Sequence, residues 1–466
     1  MAKAAGWREW LWLAAAAVLV IAGTLGCSRT STRRRDAEPA LTADQVLQRM
    51  LATYAQADSY SDRGLVRLRY KQAGQWVQDE AKLAVRLVRP NKLSLRAYQL
   101  RMTCDGNRLC ATITDQDTAD LDGQMLLRPA PDRLQLDRLY DDPVVLNVVA
   151  SGLGGPPATL ELLLADEPLK DVLQEGNRRE LLTTAEVSGQ ACWRIQVTLD
   201  VGTVILWVEC QSFLLRRLEY PTARLFEQLA QAAPCSDLSL TAEFRDAAIN
   251  EPVREEDFAV EIPTQAKTVR SFVLPPQPAP TEVLGRVADQ FHFTDLHGRR
   301  VTRESLSGHI CVLAWFNDHA SSQACLRQLN DVRRRFPDSP QVAIYGVCTE
   351  PTARSNDSVQ RLGDSWGVAF PIVRDLEAYG RDVFRVPWAP TVVVLDRRGA
   401  VQAFEVGADP ALAERLQGQL KRLLKGEDLA AETLTRVQQE RRQYEAAVAA
   451  ATVQVQREAR AERTTR

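Results

Sequence analysis

The sequence predicts an α+β domain built on one curved antiparallel sheet (a half-barrel), followed by a three-layer α/β domain and a C-terminal helix. Three observations carry this. From about residue 64, apolar and polar residues alternate with period two in many short runs, as in "LVRLRY", "KLAVRLV", "KLSLRAY" and "TVILWVEC". A proline-rich stretch, "VLPPQPAPTE", then breaks the alternation. Beyond it, strand-like and helix-like runs alternate, the pattern of an α/β domain. A chain of 466 residues is long enough for more than one core.

Composition excludes some function classes. With 45% hydrophobic and 25% charged residues the chain reads as globular protein. A net charge of −2 gives no case for nucleic-acid binding. The four histidines form no cluster with cysteine at ligand spacing, so no metal and no cofactor is expected.

Residues 1–27 are an export or anchoring segment. Lys3 and Arg8 precede the apolar run "LWLAAAAVLVIAGTLG", which ends at Cys27. That run is short for a membrane span and suits the core of a signal peptide. "TLGC" resembles the lipobox of bacterial lipoproteins, which implies lipidation at Cys27; an uncleaved anchor helix is the alternative. Either places the chain beside a membrane, and the expected location is the bacterial cell envelope, facing the periplasm. Of nine cysteines, Cys27 apart, eight remain for the rest of the chain. A basic tether follows at 28–41.

The first domain spans 42–265. "TADQVLQRMLATY" opens it as a helix, with Thr42 and Gln45 in a capping-box pattern. Its strands include the pair "QACWRIQVTL" and "TVILWVEC", joined by "DVG". With a three-residue loop, Ile195 faces Trp207 and Cys192 faces Cys210. Trp193, Ile195, Val197, Ile205 and Trp207 then share the buried face, and Val204, Leu206 and Val208 line the other. A sheet apolar on both sides packs a second layer or lines an apolar cavity. Cys192 and Cys210 are either a cross-strand disulfide or two buried thiols. A linker occupies 266–284.

The second domain spans 285–425. Its central strand is "HICVLAWF", followed by "NDHASSQACLRQL", which places Cys325 near the start of a helix. Cys311 lies within the strand as a core thiol, and Cys348 ends the neighbouring strand. Residues 427–466 form a polar helix. In it Ala430, Leu434, Val437, Arg441, Tyr444, Val448, Ala451 and Val455 follow alternating four–three spacing. That seam fits a helix folded back on the chain, a solvated helix, or a protein partner.

Two family resemblances follow. The opening helix, "RPNKLSLRA", "CDGNRLC", "LRRLEY" and "NEPVREEDFAVEIP" resemble the outer-membrane lipoprotein carrier superfamily, of LolA/LolB type. The resemblance implies an incomplete barrel lidded by helices whose concavity holds acyl chains or lipoproteins. Over 285–425, "VADQFHFTDLHGRRVTRESLSGHICVLAWF", "FPIVRD" and "VPWAPTVVVLDRRGAV" resemble the thioredoxin-like superfamily, of TlpA and AhpC/TSA (redoxin) kinds. There Pro390 falls where the family carries a cis-proline beside its active site.

The thiol fits two registers of that family. In the disulfide-exchange register Cys325 takes the second place of CxxC and Ser322 the first, where a serine forms no mixed disulfide. In the peroxidase register Cys325 is the peroxidatic thiol and Ser322 stands in the threonine position. Asp318 then replaces a proline, and Pro390 sits where an activating arginine is expected. Cys348 is a candidate resolving thiol, and His319 a candidate group for lowering the thiol pKa or capping the helix. The resulting expectation is a membrane-tethered envelope lipoprotein with a carrier-like domain and a recognition or structural thioredoxin-like domain. The alternative is a thiol-dependent oxidoreductase, peroxidase or reductase, using Cys325.

Overall fold

Val46, Leu47, Met50 and Tyr54 recur at helical spacing, and all four are buried on one face of the first helix, α1 (Ala43–Gln56). The structure, a computed structural model, describes residues 41–72, 74–114, 121–232, 235–336, 341–351 and 353–465. Cys27, the apolar run before it and the arginines of the tether lie outside the described residues. Residues 43–466 form one compact unit.

After α1 the chain runs through β1 (Ser59–Gln72), β2 (Gln75–Val88), β3 (Lys92–Ala97), β4 (Leu100–Asp105), β5 (Arg108–Ile113) and β6 (Gln124–Pro129). Four short helices follow: α2 (Leu136–Leu139), α3 (Pro143–Ala150), α4 (Ala158–Leu164) and α5 (Lys170–Leu173). Then come β7 (Arg178–Val187), β8 (Gln190–Leu199), β9 (Gly202–Glu209), β10 (Leu215–Glu219), α6 (Ala223–Ala232), β11 (Cys235–Ile249) and β12 (Lys267–Val269). Among the described residues these strands form one sheet of twelve, in the order β12-β6-β5-β4-β3-β2-β1-β11-β10-β9-β8-β7. Its two ends do not meet, so the sheet is open. Apart from the parallel β12–β6 pair, each neighbouring pair is antiparallel.

The β8–β9 register differs from the expected one. Leu199 pairs with Gly202, so the connection is Asp200–Val201 rather than three residues. This one-residue slip moves every partner: Val197 faces Val204, Ile195 faces Leu206, and Trp193 faces Val208. Val204, Leu206 and Val208 therefore share the core face with Ile195 and Val197, and they do not line a second apolar side. The opposite face carries Arg194 stacked on Trp207, with Arg217 against the same ring. Cys192 lies opposite Glu209, not Cys210. Glu209 is fixed by the buried Arg216, whose Nε and Nη2 donate to its Oε2 at 2.9 and 2.6 Å. All eight described cysteines are free thiols.

Part of the expected linker belongs to this sheet. Lys267–Val269 adds as β12 alongside β6, and Phe272 N–H and Ser271 Oγ both donate to Asp142 Oδ2. Asp142 also caps α3, its Oδ1 accepting from Val144 and Val145 N–H. A proline-rich composition suggests a free spacer, but here its upstream half finds backbone partners.

The second domain runs through β13 (His292–Asp295), β14 (Arg300–Thr302), α7 (Arg303–Leu306), β15 (Ile310–Phe316), α8 (Ala320–Arg335) and β16 (Val342–Cys348). It continues with α9 (Asn356–Trp366), β17 (Ile372–Arg374), α10 (Tyr379–Asp382), β18 (Thr391–Leu395), β19 (Val401–Val406) and α11 (Leu412–Leu424). The sheet order is β14-β13-β17-β16-β15-β18-β19. Within it β16 and β15 run parallel, while β18 and β19 run antiparallel to their neighbours. All seven residues of β15 are buried, which explains why "ICVLAWF" is continuously apolar.

The last helix, α12 (Leu429–Thr465), lies along both sheets. Leu429 and Ala430 N–H donate to Gln402 Oε1 on β19. Farther along, Tyr444 Oη accepts from Gln124 Nε2 on β6, and Glu458 pairs with Arg270. The seam residues Ala430, Tyr444, Val448 and Val455 are buried within the chain. Arg441, which interrupts the seam, pairs with Asp122 at 2.8 Å. Among the described residues no helix is long and apolar enough to cross a membrane.

Candidate functional site

The carboxyl ends of β15 and β16 meet the start of α8 and the loop before β18. His319 is the N-cap of α8, its Nδ1 accepting from Ser321 N–H at 3.2 Å. Of its two expected roles, His319 takes the capping one. Ser322 is fully buried and its Oγ donates to Asn317 Oδ1 at 2.9 Å while accepting from Asn317 N–H. The hydroxyl thus ties the helix to the end of β15.

Cys325 stands six residues into α8, one turn deeper than a helix-start thiol, and is 0% exposed. Its neighbours in the core include Phe316, Leu326 and Leu329. Burial alone pushes the thiol up to about 12. At neutral pH a thiol of that pKa is ionised in roughly one molecule in 10⁵, and the thiolate is the reacting species. The helix N-terminus that activates a thiol in the first turn does not reach it. Cys348 ends β16 opposite Phe316 and is 1% exposed. Burial raises its pKa, with Arg374 and Arg354 opposing this only in part. Cys311, near the other end of β15, is likewise pushed up to about 12 by burial.

The Ala389–Pro390 peptide is cis. Pro390 immediately precedes β18, whose Thr391 pairs with Trp315 near the end of β15, so the loop lies on the same sheet edge as α8's start. Trp388 in that loop is 63% exposed, and its carbonyl accepts from Thr391 Oγ1 at 2.7 Å. Beside it the edge is latched: Asp318 N–H donates to Glu350 Oε1 at 2.8 Å, and Arg354 pairs with Asp318 at 2.9 Å and with Glu350 at 3.3 Å.

Arg374 on β17 organises this edge and was not anticipated. It is buried, and its two Nη atoms donate to the carbonyls of Glu350, Pro351 and Arg354 and to Asn356 Oδ1. The signal in the sequence is an arginine ending the otherwise apolar strand "IVR".

The first domain holds its own buried polar cluster. Asp62 on β1 accepts from Tyr60 Oη and Thr159 Oγ1, each at 2.9 Å, and from Val85 N–H at 3.0 Å. Burial nevertheless pushes its carboxyl up to about 6. Arg89 donates to the carbonyls of Tyr54, Ala57 and Leu163, so one guanidinium holds the end of α1 and α4 together. Among the described residues no group of three metal-ligating side chains is gathered.

This geometry gives a direct expectation. A bulky maleimide applied to the folded chain leaves Cys325 and Cys348 unmodified, and urea exposes both; rapid native labelling of Cys325, mapped by mass spectrometry, would contradict the structure.

No protein-family model and no curated protein matches the chain. Solved structures match 28 to 30% of the chain. A secreted Mycobacterium tuberculosis disulfide oxidoreductase homologous to E. coli DsbE is 22% identical, covering 28% of this chain and 95% of its own, with a TM-score of 0.24. StoA from Bacillus subtilis is 18% identical over 28% of this chain and 96% of its own, at 0.25. The thioredoxin domain of a thiol-disulfide oxidoreductase from Bacteroides vulgatus is 18% identical over 30% of this chain and 98% of its own, at 0.26. At these identities and scores the likeness bears on neither chemistry nor partners. Over about 30% of its length the chain is similar to these thioredoxin-like proteins.

Proposed function

We propose that the second domain is a recognition module that has kept a thioredoxin-like frame without thiol exchange. The single observation behind this is the state of Cys325: fully buried, one turn inside α8, with Ser322 locked to Asn317 in the place of a nucleophile. What the edge offers instead is the exposed Trp388 beside cis-Pro390, a surface suited to an extended peptide segment of a partner protein. Full-length protein and its Cys325→Ser variant are expected to match in insulin-reduction and peroxide-consumption assays. A loss of measurable turnover in the variant would establish the oxidoreductase reading. On arrays of extended peptides, Trp388→Ala is expected to weaken binding roughly tenfold or more, and equal binding would remove the peptide surface.

The first domain carries a second element of the proposal. Helices α1 and α4, held together through Arg89, are both bonded to the open sheet, Tyr54 Oη accepting from Leu215 N–H and Thr159 Oγ1 donating to Asp62. A half-barrel joined to helices in this way suits acyl-chain or lipoprotein binding beside an envelope membrane, with the chain attached through Cys27 or an N-terminal helix. Native mass spectrometry of the full chain tests it, and consistent absence of co-purified lipid would count against the carrier role.

A further inference from the structure

At the opposite edge of the second sheet lies a cavity of about 340 Å³ that the thiol site does not involve. Cys311 borders it near the start of β15, whereas the α8 start lies beyond Phe316 at that strand's other end. The two edges are roughly 20 Å apart along the strand. The cavity floor is apolar and buried: Phe291, Leu306, Leu395 and Cys311. Its rim carries Arg303 from α7 and Arg398 from the β18–β19 turn.

The charges on this rim are unequally engaged. Asp396 is already occupied, its Oδ1 accepting from Arg398 and Ala400 N–H and its Oδ2 from Gln402 Nε2 and Arg398 Nη2. Glu304 is held by hydrogen bonds from its own backbone, Thr302 and Gln290, and the charge of the neighbouring Arg303 helps to keep its carboxyl below the usual range. Arg303 itself donates through Nη1 to Ala288 O at 2.9 Å. A half-buried guanidinium over an apolar floor presents its remaining N–H donors to whatever enters.

We propose that this cavity binds a small organic anion: an aromatic or branched aliphatic body on the Phe291–Leu306–Leu395 floor, with a carboxylate, sulfonate or phosphate group on Arg303. The volume falls in the range of small-molecule sites, and the lining divides between that apolar floor and the polar groups of Arg303, Glu304, Ser307, Asp396 and Arg398. A charge-assisted pair in such a recess is worth more than one in open solvent.

The test is isothermal titration of the full chain with benzoate, with benzyl alcohol and inorganic phosphate as probes lacking the charge or the apolar body. Benzoate is expected to bind at least about tenfold more tightly than either. Arg303→Met, which keeps the apolar stem, is expected to weaken benzoate about tenfold or more. Ser307→Trp, placed at the exposed rim, is expected to block entry, and the melting temperature reports whether each variant is folded. Should Ser307→Trp fail to fold, Arg303→Met decides alone. The proposal is overturned by no benzoate binding up to its solubility, by benzyl alcohol binding as tightly, or by a folded Arg303→Met with unchanged affinity. Loss of benzoate binding in Trp388→Ala would place it at the other edge and overturn it equally.

Discussion

Replacing Gly380 by alanine is expected to destabilise the second domain by about 3 kcal/mol or more, the scale of an overpacked core site. A Cβ at this position would sit 2.3 Å from Trp315 Nε1 and 2.9 Å from Asp375 Oδ2. Neither neighbour is free to move: Trp315 Nε1 donates to Asp375 Oδ2 at 3.1 Å, and the same oxygen accepts from Gly380 N–H at 2.7 Å. Asp375 Oδ1 also accepts from Tyr379 N–H, so the carboxylate fixes the first turn of α10. Val386 N–H donates to Gly380 O at 2.8 Å, which links that turn to the loop leading to Trp388 and Pro390. Gly380→Ala should therefore lower the urea midpoint and weaken peptide binding together. A midpoint unchanged within error would show that the chain tolerates a closer approach than this packing allows.

The second large effect is a pH dependence centred on Asp62. Burial raises its folded-state pKa to about 6 from the usual aspartate value of 3.8. Between those values the folded chain holds a proton that the unfolded chain has released. Stability from this group is therefore fully present at low pH, falls as pH rises through that window, and levels off above about 6. That difference in pKa corresponds to about 3 kcal/mol. Other carboxylates act in the opposite sense. Asp295, Asp409 and Glu377 are held below the usual range by hydrogen bonds from Arg299 N–H, Ala411 N–H and Tyr379 Oη respectively, and their contribution is lost as pH falls. The informative measurement is the difference in urea unfolding free energy between wild type and Asp62→Asn from pH 4 to 8. That difference is expected to shrink as pH rises to about 6 and then stay constant. Asp62→Asn also turns one acceptor oxygen into a donor facing the Tyr60 and Thr159 hydroxyls, so it lowers stability across the range. A difference that is flat over pH 4–7 would mean the Asp62 carboxyl does not sense burial.

Several features were legible in the sequence because they depend on local periodicity. The apolar face of α1, the continuously apolar β15 and the long C-terminal helix all follow from residue patterns that hold whatever the tertiary context. The stretch "NDHASSQAC" placed Ser322 three residues before Cys325 and left His319 between lowering the thiol pKa and capping the helix, of which the structure shows the cap. The β8–β9 register was not legible, because "DVG" fits a two- or a three-residue connection and the two choices exchange the faces of every side chain. The burial of Val204, Leu206 and Val208 beside Ile195 and Val197 goes with the two-residue choice, and burial is a property of the whole sheet. The C-terminal seam was legible as a seam but not in its partner, since alternating four–three spacing describes any apolar stripe. Gln402, Gln124 and Asp122 supply that partner from two sheets hundreds of residues apart in the chain.

The sequence by itself determined the elements with strong periodicity and the identity of the residue standing three places before Cys325. Those are properties of neighbouring residues, and neighbours are what a linear pattern encodes. Only the tertiary structure decided what surrounds Cys325. Reactivity depends on the thiol's surroundings, and these are Phe316, Leu326 and Leu329 converging from one strand and one helix into an apolar core. It likewise decided that Trp388 stands in solvent and that Arg303 overlooks a recess. Burial is a sum over the whole fold, and no local stretch of the chain contains it.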